Sequence, residues 1–240
     1  MEKEVIWEPS CALITRSFGD IMASMKILYE DDYIIAYHKP AGLATQTKKI
    51  GEKDLFSEAK KHVNGGYIGI INRLDQPVEG IVLLAKDSKT AAALENQIQK
   101  HMMQKHYRAE AYTPNDAPQV NIIHNLTDYM IKDAKTNTSK ICSESTNGAK
   151  RAELEYSVEE VREKTAILDI HLLTGRHHQI RLQFSNAGYP LLGDKKYGTK
   201  ESIEYSAKQG VKYVALCAYR LCFNHPITKK EVRIEIERNI

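Results

Sequence analysis

The chain has 240 residues, 42% of them hydrophobic, which is enough for one large core or two small ones. No apolar run reaches the roughly 20 residues a membrane-spanning helix needs, and Met1 to Asp20 lacks the pattern of a secretory leader, so the expectation is a soluble cytoplasmic protein that keeps off membranes. A net charge of +3 and a pI near 8.5 suit a nucleic-acid partner without singling one out, and four cysteines with no C-x-x-C spacing speak for reduced thiols and against a zinc site.

Residues 1–25 are poorly patterned and read as an extension ahead of the body of the protein. Tyr33 to His38 alternates and is rich in strand formers, and Lys39-Pro40-Ala41-Gly42 ends it as a turn. Asp54 to Val63 sets Leu55, Phe56, Ala59 and Val63 on one helical face, with Asp54 as the cap and Asn64-Gly65-Gly66 as the stop. Gly80 to Ala85 is a continuous apolar run suited to a buried central strand. Ser88 is placed to cap a helix over Lys89 to Gln99, with Ala91, Leu94 and Ile98 inward.

Lys105 to Tyr112 alternates again, with Tyr107, Ala109 and Ala111 on one face. Residues 113–150 are polar and carry two prolines, which predicts a long surface excursion with short strands. Ala152 to Val161 and Thr165 to Leu173 read as neighbouring strands joined by a tight turn. His177 to Ala187 reads as a helix that buries Ile180, Phe184 and Ala187 and stops at Gly188. Tyr213 to Phe223 is expected to be a long strand, and Val232, Ile234 and Ile236 alternate on a last one. The sum is an α+β domain on a mostly antiparallel sheet.

Two segments carry chemistry. Asn72-Arg73-Leu74-Asp75 puts one carboxylate in the turn before the central strand, and Thr174-Gly175-Arg176-His177-His178-Gln179-Ile180-Arg181 offers fixed positive charge a hundred residues later. A carboxylate beside a guanidinium favours its charged form, which suits a nucleophile or charge stabiliser better than an acid. Asp169, His171, His177 and His178 superficially suggest a metal site. However, Asp169 and His171 share a strand face while His177 and His178 are expected to point apart on a helix, so no metal is expected.

Four blocks in register resemble the RNA pseudouridine synthases of the RluA/RsuA-like family, in the RluA branch. These are Ile27 to Leu43, Arg73-Leu74-Asp75, Lys105-His106-Tyr107-Arg108-Ala109, and Gly175 to Arg181 followed by Pro190 to Gly198. The resemblance spans residues 26 to 236 and implies one catalytic domain over 26–240, with a central mixed sheet and a cleft across its middle. It implies an enzyme that isomerises uridine in structured RNA without a cofactor, acting as a monomer, with ribosomal RNA preferred over transfer RNA. Asp75 matches the family's catalytic aspartate, Arg176 is matched to the arginine that pairs with it, and Tyr107 matches the tyrosine that stacks on the target base. Arg73 matches an arginine near the flipped nucleotide. Ile180 and Leu182 are expected to line the uracil pocket or support Arg181, which joins the uridine-binding set, and Lys39 to contact phosphate or brace the site. The residues 1–25 are too short for the RNA-binding domain some relatives carry there, so target choice is expected from residues 44–53 and 113–150.

Two departures stand out. Asn72 replaces a histidine common in relatives, and Gln76-Pro77-Val78-Glu79-Gly80 lacks the usual Thr-Ser pair, losing two hydroxyls and gaining an acid. Those losses keep open a rival reading, a non-catalytic RNA-binding or ribosome-assembly protein that retains the fold.

Overall fold

The computed structural model describes residues 25–49 and 51–237. Eleven strands join in one sheet: β1 (Lys26–Glu30), β2 (Ile34–Lys39), β3 (Gly69–Ile70), β4 (Glu79–Ala85), β5 (Gln104–Tyr112), β6 (His124–Asp133), β7 (Thr138–Cys142), β8 (Lys150–Val161), β9 (Thr165–Leu172), β10 (Leu216–Asn224) and β11 (Glu231–Glu235). The order is β1-β2-β4-β10-β5-β9-β8-β6-β7, with β3 on β4 and β11 on β10. Every described pairing is antiparallel except β4 with β10. The helices are α1 (Leu55–His62), α2 (Ser88–Gln99), α3 (Gln179–Asn186) and α4 (Lys200–Lys208). Among the described residues no helix is long and apolar enough to cross a membrane.

Alternation along the strands splits the core in two. One face carries Ile35, Tyr37, Val82, Leu84, Ala109, Leu168 and Ile170 under Leu55 of α1 and Phe184 of α3. The other carries Ile34, Ala36, Ile81, Leu83, Phe223 and Ile234 under Ala91 and Leu94 of α2. The apolar run of β4 is buried on both faces, as a strand between two layers must be.

Local chemistry sets the ends of the elements. Asp54 caps α1 by accepting from the Ser57 N–H at 2.7 Å. For α2 the cap is Asp87, not Ser88: the carboxylate accepts from the Thr90 N–H at 2.8 Å and its hydroxyl at 2.6 Å, and Ser88 becomes the first helical residue. Helix α3 begins two residues later than the apolar spacing predicts, because His178 sits in the left-handed region at φ 55°. Strand β10 starts at Leu216 instead of Tyr213, since the Leu216 N–H turns back onto the Val214 carbonyl. The excursion of residues 113–150 holds a longer strand than expected: β6 is ten residues long, pairs with β8 over His124 to Met130 and, with β7, extends the sheet. Helix α4, capped by Thr199, was invisible to hydrophobic periodicity because its buried residues are Ser202 and Ser206. The proposed extension lies, apart from Met25, outside the described residues.

At the parallel junction Gly80 pairs with Ala218 at φ +133°, and a Cβ there would fall 2.5 Å from the Ala218 backbone N and O. Gly80→Ala is therefore expected to lower unfolding free energy by roughly 2–4 kcal/mol in urea denaturation, through a backbone clash that no rotamer relieves. Gly188→Ala, at φ +88° in open space, is expected to cost only about 1 kcal/mol.

Candidate active site

The loop from residue 71 to 78 joins β3 to β4 and carries Asp75 at a tight turn closed by the Val78 N–H on the Asp75 carbonyl, 3.0 Å. Three side chains hold this loop. The Thr45 hydroxyl donates to the Leu74 carbonyl at 2.8 Å and accepts from its N–H at 3.2 Å. Asn72, in place of the histidine, behaves like a short strand: its amide donates to the Ile81 carbonyl and its oxygen accepts from the Leu83 N–H. Lys39, fully buried at the end of β2, donates to the carbonyls of Leu43 (2.7 Å), Pro40 (3.1 Å) and Gln76 (3.3 Å). Burial pulls the Lys39 amine down to about 7, against the opposing pull of the Asp75 charge. Of the two roles expected of Lys39, the geometry is that of a brace; it is absent from the cleft wall and has no access to phosphate.

Asp75 opens into a cleft of about 950 Å³ between this loop and α3, with Gln46, Arg73, Lys105, Tyr107, Arg176, His178 and Ile180 among its walls. The guanidinium facing Asp75 belongs to Arg181. Its Nη1 donates to Asp75 Oδ2 at 2.9 Å, while Nε and Nη2 form a two-pronged pair with Asp194 at 2.7 and 2.8 Å. This corrects the expected pairing with Arg176. Arg176 lies in the loop before α3, exposed, with its Nε donating to the Arg151 carbonyl at 2.8 Å. Arg181 is in the first turn of α3, on the side that packs inward with Phe184. Of the two residues expected to line the uracil pocket or support Arg181, Ile180 is in the cleft wall and Leu182 is not.

Burial opposes the Arg181 charge, but Asp194 and then Asp75 outweigh it and raise the guanidinium above its ordinary range. Burial likewise opposes the charge on Asp194, yet Arg181 and the N–H groups of Lys196 and Tyr197 hold its carboxyl below the usual range. Replacing either partner would strand a buried charge. Tyr107, 7% exposed, has its phenol pushed up by burial and then by the Asp75 charge, so it stays protonated in the cleft wall. Arg73 is exposed and donates to Gln46 Oε1 at 2.9 Å.

His178 was not singled out for the site by sequence. Its left-handed backbone turns the ring back, placing Nε2 3.6 Å from Asp75 Oδ2 and Nδ1 2.7 Å from the Tyr197 hydroxyl. His177 stacks on it at 3.7 Å, so the two rings do not point apart. The residues of the metal-site rival are separated: Asp169 accepts from Tyr219 and His171 stacks on His106 on the sheet, away from the histidines in the cleft. Among the described residues no three His, Cys, Asp or Glu converge as metal ligands. Val78 is buried and lines the cleft, while Glu79 turns to His38 at 2.9 Å and stays out of it.

Burial, only partly offset by Asp75, lowers His178 from 6.5 to about 4, so it is neutral near pH 7. Between those values the unfolded chain binds the proton and the folded one does not; stability from this group is present above pH 6.5 and is lost as pH falls toward 4, by about 1 kcal/mol per pH unit. His178→Asn, which tolerates the left-handed backbone, is expected to flatten this slope in denaturation curves taken from pH 7 to pH 4.

Residues 33–186 match the family model described as RNA pseudouridylate synthase. The chain is 30% identical over 218 residues to an uncharacterized RNA pseudouridine synthase of Mycoplasma pneumoniae, covering 89% of this chain and 66% of that protein. It is 33% identical over 214 residues to the ribosomal large subunit pseudouridine synthase C of Rickettsia prowazekii, covering 87% and 66%. The chain thus spans just under two thirds of the length of these relatives. Among solved structures, human RNA pseudouridylate synthase domain containing 1 shares the fold at a TM-score of 0.71 and 17% identity, over 89% of this chain and 83% of that one. Human RNA pseudouridylate synthase domain containing 4 does so at 0.69 and 18%, over 91% and 90%. With a catalytic-type carboxylate, a buried guanidinium and a tyrosine wall in one cleft, and a family match across more than half its length, the chain belongs to the RNA pseudouridylate synthase family, of the RluA-like kind.

Proposed function

We propose that the protein converts uridine to pseudouridine in structured RNA. One observation carries the reading: Asp75 is held by Arg181 at the mouth of a cleft roomy enough for an extruded nucleotide, with the Tyr107 ring in its wall. Both engaged contacts of the carboxylate fall on Oδ2, and no donor among the described residues reaches Oδ1. That oxygen is left to act on the substrate. Lys48, Lys49, Arg73, Lys105, Lys132 and Arg176 also line the cleft, a basic wall suited to phosphates.

The target uridine leaves its stack, at a cost of about a few kcal/mol, and enters the cleft against Tyr107. Asp75 then either attacks C1′ as the bond to N1 breaks and uracil leaves with its electron pair, or takes the C2′ proton as that bond breaks and a glycal forms; on both routes Arg181, bound at Oδ2, holds the carboxylate in place. The detached uracil rotates within the site and carbon 5 bonds to C1′, displacing the carboxylate or adding to the glycal as C2′ takes its proton back; carbon 5 then gives up its proton and N1 gains one, so the net change is an isomerisation that asks for water exclusion and no cofactor. Arg73 is assigned to the backbone of the flipped nucleotide, where its exposed guanidinium can exchange Gln46 for a phosphate. Curated relatives named for the ribosomal large subunit favour ribosomal RNA over transfer RNA as the substrate. The protein is read as a cytoplasmic monomer.

Mapping pseudouridine across total RNA from cells with and without the gene tests this reading. The expected result is one or a few sites lost without it, restored by the wild type and not by Asp75→Asn, while the variant keeps RNA affinity within a few-fold. A wild-type protein that binds RNA yet restores no site would leave the non-catalytic binding role in its place.

A further inference from the structure

The two histidines of the cleft share one anchor, Ser139 at the start of β7. Its backbone N–H donates to the Tyr197 hydroxyl at 2.8 Å. That hydroxyl lies 2.7 Å from His178 Nδ1, and its own proton has no other acceptor among the described residues. A phenol that accepts from Ser139 still has its proton to give to Nδ1, the arrangement in which the neutral ring keeps its proton on Nε2, the nitrogen 3.6 Å from Asp75 Oδ2. The Ser139 side chain imposes the opposite arrangement on His177. Its hydroxyl donates to the His177 carbonyl at 2.8 Å, so it accepts from His177 Nδ1 at 2.9 Å, and the Nε2 of that ring is left as a bare acceptor.

We propose that the chain Ser139 N–H, Tyr197 hydroxyl and His178 imidazole fixes His178 as an Nε2–H donor to Asp75, making His178 and Tyr197 positioning residues for the carboxylate. The proposal deepens the isomerase reading and rests on it. Arg181 approaches Oδ2 from one side and His178 from another, so together they set the rotation of the carboxyl group and present Oδ1 to the cleft. A separation of 3.6 Å is long for a hydrogen bond, and contacts of this kind commonly shorten when substrate closes the site. Both rings are depressed by burial, which keeps them neutral and so keeps the tautomer a meaningful property near pH 7. Glu79, the acid that the loop gains, is engaged with His38 and plays no part.

The test reads imidazole nitrogens by ¹⁵N NMR on the full chain without RNA, with single His→Gln variants for assignment. His178 is expected as the Nε2–H tautomer and His177 as the Nδ1–H tautomer. Tyr197→Phe is expected to shift His178 toward a mixture and leave His177 unchanged; Ser139→Ala, which keeps the backbone N–H, is expected to move only His177. On a uridine-containing RNA identified by the mapping above, Tyr197→Phe is expected to reduce kcat roughly tenfold with KM unchanged. An Nδ1–H form at His178 in the wild type, or an unaltered tautomer in Tyr197→Phe, overturns the proposal. So does a shifted tautomer with unaltered kcat. Because the nitrogen signals need no turnover, an inactive wild type would count against the isomerase reading while the tautomer result stood separately.

Discussion

Everything in the cleft turns on one buried guanidinium. Arg181 is nearly inaccessible, and Asp194, more buried still, grips it with two parallel hydrogen bonds. That grip removes the freedom an arginine side chain normally has and leaves a single N–H aimed at Asp75. A guanidinium paired only with Asp75 would satisfy that carboxylate from both sides and take both its oxygens out of play. Splitting the fork between two acids, one deep and one at the mouth, leaves the outer carboxylate half engaged. The charge pattern runs acid, base, acid from interior to solvent, with Asp194 the deepest and Asp75 the most exposed.

The scaffold behind that line is built from backbone carbonyls as much as from apolar packing. Lys39 collects three of them beneath the Asp75 loop, Thr45 ties the loop to the stretch ahead of α1, and Asn72 ties it to β4. The loop displays a charged group to solvent while burying Ile71, Leu74 and Val78, so its position is set by directional bonds to rigid neighbours together with these apolar anchors. The loss of two hydroxyls at Val78 and Glu79 is tolerable in this frame: one residue packs into the wall and the other binds His38.

Much of this was legible beforehand. The unbroken apolar run of β4 announced a strand covered on both faces, and an acid just ahead of it announced a charged group at a strand mouth. The fold class followed from the alternation in β5, β8 and β9. The choice of arginine did not. Gly175 to Arg181 offers two, and motif matching favoured the one beside the glycine. The signal that would have chosen correctly is the three-residue spacing of Arg181 and Phe184, which puts them on one helical face, inward. His178 was weighed only as a metal ligand, because nothing in the sequence marked it as the left-handed residue that turns its ring toward Asp75. Helix α4 escaped because serines, not leucines, fill its inner face.

The parts of the cleft come from far-separated places in the chain: the acid from residue 75, the anchor of the histidines from 139, the guanidinium from 181 and its second acid from 194. The brace at Lys39 reaches only to Gln76, so the carboxylate's cradle can close among residues that leave the ribosome early. Its counter-charge arrives more than a hundred residues later. During synthesis residue 75 therefore precedes its paired guanidinium by several seconds, at about 5–20 residues per second. The two halves of the sheet meet only through β10, which lies between β4 and β5, so the strand that joins them is among the last parts of the chain to be made.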